Sequence, residues 1–207
     1  RRAGCIQVSY GVESGDPAIR AYLGKPLEEE AIAEAFRLTA RLGLLPRAYL
    51  IYGCPGESDA TVERNLALLR RIRPLSVVFY LLTLFPGTRL YEDYRRRAGV
   101  TDEIWLQPME DILYFQTDPG MTTEAVLDWG RRPREGFHRM LPEIVQNLEL
   151  EERPELFPGH ADFLSRLGMT FQEGDYARVP EIPHPARLAE ALHTRALAYH
   201  PHPRAYL

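Results

Sequence analysis

Three glycine-punctuated segments carry the residues whose types and spacing could do chemistry. The first is Gly11-Val12-Glu13-Ser14-Gly15-Asp16, at the end of an alternating run that begins near Cys5. The second is Ile51-Tyr52-Gly53-Cys54-Pro55-Gly56-Glu57, and the third is Phe85-Pro86-Gly87-Thr88, after the apolar run that starts at Ser76. The first two β-rich runs end in glycine plus a carboxylate, the third in Pro-Gly-Thr, and each leads toward a helix. α/β enzymes present ligand-binding residues in this way, at the carboxyl ends of parallel strands. Each segment also has a structural reading. Glu13-Ser14 is either a turn or capping pair, or a pair of side chains aimed into a barrel mouth. The glycines around Cys54 suit a tight strand-to-helix turn, which is compatible with ligand binding. Pro86-Gly87 is an ordinary turn signal, and Asp16 before Pro17 suits a helix cap.

Taken together, Gly11-Val12-Glu13-Ser14-Gly15, Gly24-Lys25, Ile51 to Glu57 and Phe85-Pro86-Gly87-Thr88 resemble the second half of a radical SAM core. The nearest resemblance is to the cobalamin-binding-domain type of Fe–S oxidoreductases, over about residues 3–98. The resemblance implies that Glu13 and Ser14 approach the ribose hydroxyls and nearby polar groups of S-adenosylmethionine. A carboxylate suits that role because it accepts from two hydroxyls at once. It further implies that Ile51 packs on the adenine, that Gly53 lets the backbone approach, and that Leu84 and Phe85 bond the base edge through main-chain groups. Glu57 would hold its turn. Cys54 departs from the small apolar residue usual at its place.

By the same resemblance, the intact parent would cleave S-adenosylmethionine reductively to a 5′-deoxyadenosyl radical, with a [4Fe–4S] cluster supplying the electron. Cobalamin upstream is implied in the same way; substrate and reaction type are not legible. Such a cluster needs three closely spaced cysteines. The only two cysteines, Cys5 and Cys54, are 49 positions apart. The chain itself is therefore expected to hold no metal and to be inactive alone. A competing reading is a tetratricopeptide-like interaction module on a degenerate α/β scaffold, with a protein partner on its helical tail. A third is a barrel that binds phosphate at the glycine-rich loops; the lack of Lys or Arg beside Gly53 to Gly56 counts against it.

The elements that must position these residues follow from periodicity. Ile6, Val8, Tyr10 and Val12 form one row of a strand over 5–12, and Cys5, Gln7, Ser9 and Gly11 form the other. The small and polar row would leave room for a ligand, with the apolar row under helices. A helix is predicted over 27–42, with Ile32, Ala35, Phe36 and Leu42 on one face and Gly43 at its end. A strand over 47–53 and a helix over 59–72, capped by Ser58 and stopped by Pro74, come next. The run from Ser76 to Leu84 reads as a strand covered on both faces, and 88–97 as a short helix whose last turn holds Arg95-Arg96-Arg97. The strand–helix alternation predicts parallel crossovers. The fold class is thus α/β: half of a partial (β/α) TIM-like barrel, then a mainly helical C-terminal region.

The expected divisions are 1–99 for the half-barrel, 100–180 for a helical and irregular extension, and 181–207 for the start of a helical repeat. Within the extension, 123–148 reads as a helix interrupted near Pro133, and 160–168 as another helix. The proline-rich stretch 178–185 reads as extended, and Leu188, Leu192, Ala196 and Tyr199 line a last helix face. The opening Arg1-Arg2 without Met and the close at Ala205-Tyr206-Leu207 suggest a piece of a longer protein. His200-Pro201-His202-Pro203 reads as a solvated turn rather than a metal site.

The 207 residues are 45% apolar and 26% charged, as in an ordinary globular protein. A net charge of −4 argues against a broad nucleic-acid or anionic-membrane surface. No apolar run reaches the roughly 20 residues that span a bilayer. Both cysteines are expected to be buried in strands, as in a reducing cytosol, so a cytoplasmic location is expected.

Overall fold

The computed structural model describes residues 3–108 and 111–201. The readings that concern Arg1-Arg2 and residues 202–207 lie outside them. Three strands, β1 (Gln7–Glu13), β2 (Leu45–Tyr52) and β3 (Ser76–Leu81), form one parallel sheet in the order β1-β2-β3. Helices α1 (Pro17–Tyr22) and α2 (Glu29–Arg41) connect β1 to β2. Helix α3 (Asp59–Ile72) connects β2 to β3, and α4 (Arg89–Ala98) follows. The remainder is mainly helical: α5 (Thr123–Gln146), α6 (Phe157–Gln172) and α7 (Pro185–Tyr199). This is the expected mixed α/β architecture and fits half of a partial barrel.

Local chemistry explains the boundaries. Asp16 accepts from the amides of Ala18 and Ile19, and Pro17 opens α1. That short helix was not anticipated, although Asp16-Pro17 carried its start signal. Gly43, at φ 69°, ends the turn after α2. Ser58 is the N-cap of α3, and its amide donates to the Thr61 hydroxyl at 3.0 Å. Helix α3 ends at Ile72, before Pro74.

The helices cover one face of the sheet. Val12, Ala48 and Leu50 are buried there with Ile32 and Phe36 of α2, Leu68, Leu69 and Ile72 of α3, and Phe137 and Leu141 of α5. Burying one such side chain is worth about 1.5–3 kcal/mol. The same core continues through Phe163, Leu164 and Leu167 of α6 into Leu188, Leu192 and Ala196 of α7. The Tyr176 hydroxyl donates to the Leu75 carbonyl at 2.9 Å and ties the C-terminal region to the base of β3. The apolar face expected of α7 is therefore spent on packing inside this chain.

Several expectations are corrected. Strand β1 begins at Gln7, which leaves Cys5 and Ile6 exposed; only Cys54 is buried. Strand β3 is not covered on both faces. Val77 and Phe79 pack on the core, while Tyr80 is 52% exposed, because α2, α3 and α5 lie on the other side. The chain leaves the sheet after Leu82 and turns to an antiparallel bridge, Thr83 with Leu113. Helix α5 runs unbroken through Pro133 and Pro142. Pro133 removes one backbone donor, but it lies on the buried face of the helix with Gly130, Gly136 and Phe137, where tertiary burial outweighs its low helix propensity. The connection before α7 is a run of turns rather than an extended segment. No described helix is long and apolar enough to cross a membrane.

The loop from β1 to α1 lies hard against α3. A Cβ on Gly15 would sit 2.4 Å from the Arg64 carbonyl oxygen, a backbone atom that cannot rotate away. Gly15→Ala is expected to lower stability by about 1–3 kcal/mol, as overpacking does. Urea denaturation of the two proteins measures this; an unchanged midpoint would mean that the loop does not pack on α3 as described.

Candidate functional site

A cleft of about 750 Å³ opens on the uncovered face, at the carboxyl ends of the strands. Gly11, Glu13, Lys25, Ile51, Tyr80 and Phe85 are among its lining residues. Strand alternation creates this wall. Gly11 and Ile51 share the open face, while their neighbours Val12 and Leu50 turn into the core. Tyr49 and Tyr80 pack edge-on, ring centroids 5.6 Å apart, and extend the wall toward the middle of the sheet. The Tyr49 phenol bonds with Ser9 and Arg47, which hold its pKa below the usual value.

Glu13 pairs with Lys25 across the mouth of the cleft. Gly11 makes room for the pair: a Cβ there would lie 2.5 Å from Lys25 Nζ and 2.6 Å from Glu13 Oε1. Glu13 is nearly buried and Lys25 half-exposed. A carboxylate has about four acceptor positions, so Glu13 can keep Lys25 and still accept from a ligand hydroxyl. Glu13 also has a positive φ of 68°, rare for a side chain of its size, beside an irregularity in the β1–β2 register.

Glu13, Ile51 and Phe85 thus meet at one cleft, together with Lys25. The other anticipated residues stand behind it. Ser14 is buried and bonded to Asn65 at 3.3 Å. The Gly53 amide donates to Glu57. The Leu84 amide donates to the Ile112 carbonyl at 2.8 Å, so that donor is committed within the chain, and Leu84 itself is buried. The Phe85 ring is largely exposed, and its carbonyl accepts from the Thr88 amide at 3.1 Å and hydroxyl at 2.7 Å. Tyr49 and Tyr80 were missed as cleft residues. Their placement at strand positions on the same face as Ile51 was the available signal.

Glu57 holds the second glycine turn. Its Oε2 accepts from the Gly53 amide and, at 3.0 Å, from the Cys54 amide. Burial pushes its pKa up to about 7, against the lowering effect of these two bonds. Burial likewise raises the Cys54 thiol, helped by the charges of Glu57 and Glu13, which makes it a poor thiolate donor. Among the described residues no group of three His, Cys, Asp or Glu could hold a metal ion. The donor set of this chain does not fit a [4Fe–4S] cluster, which needs three thiolates.

No family model matches the chain. Three curated proteins resemble parts of it. One is an uncharacterized methyltransferase of Pyrococcus horikoshii, 29% identical over 92 residues, which is 44% of this chain and 20% of that protein. The chain is similar to part of a methyltransferase. An uncharacterized protein of Methanopyrus kandleri is 39% identical over 64 residues, 31% of this chain and 12% of its own length. Another, of Methanocaldococcus jannaschii, is 30% identical over 66 residues, 32% and 13%. The chain spans a fifth or less of each relative. The first of these partial likenesses is compatible with an enzyme of a methyltransferase-like family.

The Glu57 geometry gives a pH prediction. Its folded pKa lies above the 4.5 of a free glutamate, so the fold favours the protonated form. The stabilisation is complete below about pH 4.5 and is lost as pH rises through 7, by up to about 3 kcal/mol. Glu57→Gln keeps an acceptor for the two amides without the charge, so its stability relative to wild type should rise between pH 5 and 8. Glu57→Ala leaves both amides unpaired and should cost about 2–4 kcal/mol. Denaturation midpoints across that pH range decide; a Gln variant that parallels wild type at every pH would refute the buried charge.

Proposed function

We propose that this chain supplies the nucleoside-facing half of a S-adenosylmethionine-binding barrel in a radical SAM enzyme. The observation that carries the reading is the convergence of a strand-end carboxylate and an apolar wall on one cleft: Glu13 opposite Ile51 and Phe85, with Lys25 at the mouth. The partial likeness to a protein named a methyltransferase supports it. In this reading Glu13 accepts from the ribose hydroxyls, Ile51 packs on the adenine, and Lys25 offers a cation to the carboxylate end of the cofactor. Gly53 and Glu57 shape the adjoining turn. Ser14 and Leu84 support the wall from behind; with the Phe85 carbonyl taken by Thr88, the main-chain contact to the base edge falls to the Phe85 amide.

When bound, the cofactor would supply a 5′-deoxyadenosyl radical after one-electron reduction. The residues of this chain bind and orient the nucleoside and exclude water from its apolar face. Thiolates for a [4Fe–4S] cluster, and any cobalamin, would have to come from outside these 207 residues. The substrate is not specified by the cleft. The interaction-module alternative has less support, because the apolar face of α7 is occupied by α6 and the shared core.

The test is titration of the chain with S-adenosylmethionine and S-adenosylhomocysteine by calorimetry. Both should bind. Glu13→Gln removes the charge but keeps the shape, and affinity should fall roughly ten- to hundredfold, the worth of about 1.5–3 kcal/mol for hydrogen bonds to a charged group. Global stability should change little, since the carboxylate lies at the cleft. Unchanged affinity with a lowered melting temperature would reduce Glu13 to a turn residue.

A further inference from the structure

The Glu13 backbone is held in a conformation that the local sequence does not favour. The Ser14 amide donates back to the Val12 carbonyl at 2.9 Å, which closes a three-residue turn with Glu13 at its apex, at φ 68°. Three-residue turns of positive φ are rare and strained, and glycine would be the easy occupant. Strain of this kind persists only where the surroundings over-determine it.

The surroundings here are two helices. From α3, Asn65 Oδ1 accepts from the Gly15 amide and, at 3.3 Å, from the Ser14 hydroxyl. From α1, Arg20 Nη1 donates to the Ser14 carbonyl at 2.9 Å. The Ser14 hydroxyl in turn accepts from the Asp16 amide at 3.0 Å, and Asp16 pairs with Arg64 of α3. Ser14, Asn65 and Arg20 are all buried, at 1%, 3% and 3% exposure. Gly15 permits the approach because any Cβ would strike the α3 backbone. None of these clamping groups lines the cleft, whereas Glu13 does.

We infer that Asn65 and Arg20 are positioning residues, which lock the turn after β1 from behind and so hold the Glu13 carboxylate in the cleft. The ligand role of this clamp rests on the reading of Glu13 given above. The mechanical role stands on the hydrogen bonds alone. A relaxed turn would free Glu13 from its positive φ and leave its carboxylate without a fixed place at the cleft mouth.

Two cycles on the 207-residue chain test this. The first needs no ligand. Glu13→Gly and Glu13→Ala both remove the carboxylate and differ in their tolerance of positive φ. With the clamp intact, the Gly variant should melt about 2–4 °C above the Ala variant. With Asn65→Ala added, the gap should close or reverse, because a released turn no longer favours glycine. An unchanged gap overturns the inference. Should Asn65→Ala fail to fold, Arg20→Met carries the same comparison, since it keeps the apolar stem and removes the donor to Ser14. The second cycle reads S-adenosylhomocysteine affinity. Asn65→Ala should weaken binding about tenfold in the wild type and have no further effect beside Glu13→Gln. An equal loss in both backgrounds assigns Asn65 to general stability and overturns its positioning role. A wild type that does not bind, with a Gly–Ala gap that still closes, supports the clamp and overturns the nucleoside reading.

Discussion

The structure depends on burying one face of a three-stranded parallel sheet. Val12, Ala48 and Leu50 turn inward, and α2, α3 and α5 close over them. Because side chains alternate along a strand, that burial fixes what the opposite face presents. Gly11, Tyr49, Ile51 and Tyr80 have no choice but to line the cleft. The core and the candidate site are two sides of one constraint. A change that shifted β1 by one residue would exchange them, with Val12 in the cleft and Gly11 in the core.

Helix α3 connects the two. Its apolar stripe, with Leu68, Leu69 and Ile72, belongs to the core. Its N-terminal half carries polar groups that are equally buried, Thr61 and Asn65. The Thr61 hydroxyl accepts from the Ser58 amide and donates to the Ser58 carbonyl, and Asn65 secures the loop after β1. Together with Glu57 just before the helix, these groups satisfy the backbone amides of two strand-to-helix turns. A buried amide left unpaired costs about 1–3 kcal/mol, so each turn is rigid for a stated reason. Rigid turns at strand ends are what a ligand-binding edge requires.

The C-terminal region adds to the same core. Tyr176 reaches the Leu75 carbonyl, and Leu188, Leu192 and Ala196 of α7 pack among the residues of α6. His193 of α7 lies against Gly168 of α6, where a Cβ would come within 2.7 Å of the imidazole ring, and its Nε2 meets Gln172 at 3.2 Å. Burial holds the His193 pKa below its ordinary value, which favours the neutral ring in the packed helices. The segment between Leu82 and Tyr114 has a different part. Its two ends, 82–84 and 112–114, pair antiparallel beyond β3, which consumes the Leu84 amide next to cleft-lining Phe85.

Much of this was legible in the sequence. The alternation in β1, the stripe of α3 and the Asp, Ser and Gly signals at helix ends are local effects, set by strand and helix periods and by capping chemistry. They determined the order of the three strands and most helices, α1 excepted, the parallel sheet, and the placement of Glu13 and Ile51 at strand ends with Phe85 just beyond the third. Where local rules failed, non-local packing had decided. Pro133 sits inside a continuous helix, on the buried face it shares with Gly130, Gly136 and Phe137. Tyr80 is exposed because the helices of the shared core, α2, α3 and α5, pack on the other face of the sheet. Asn65 lies 50 positions from Gly15, and no periodicity links a helix side chain to a distant turn. The sequence by itself determined which residues could reach the strand ends. Only the tertiary structure decided that Glu13 would be held there against its own backbone preference, because the bonds that hold it come from two helices the chain must first fold into place.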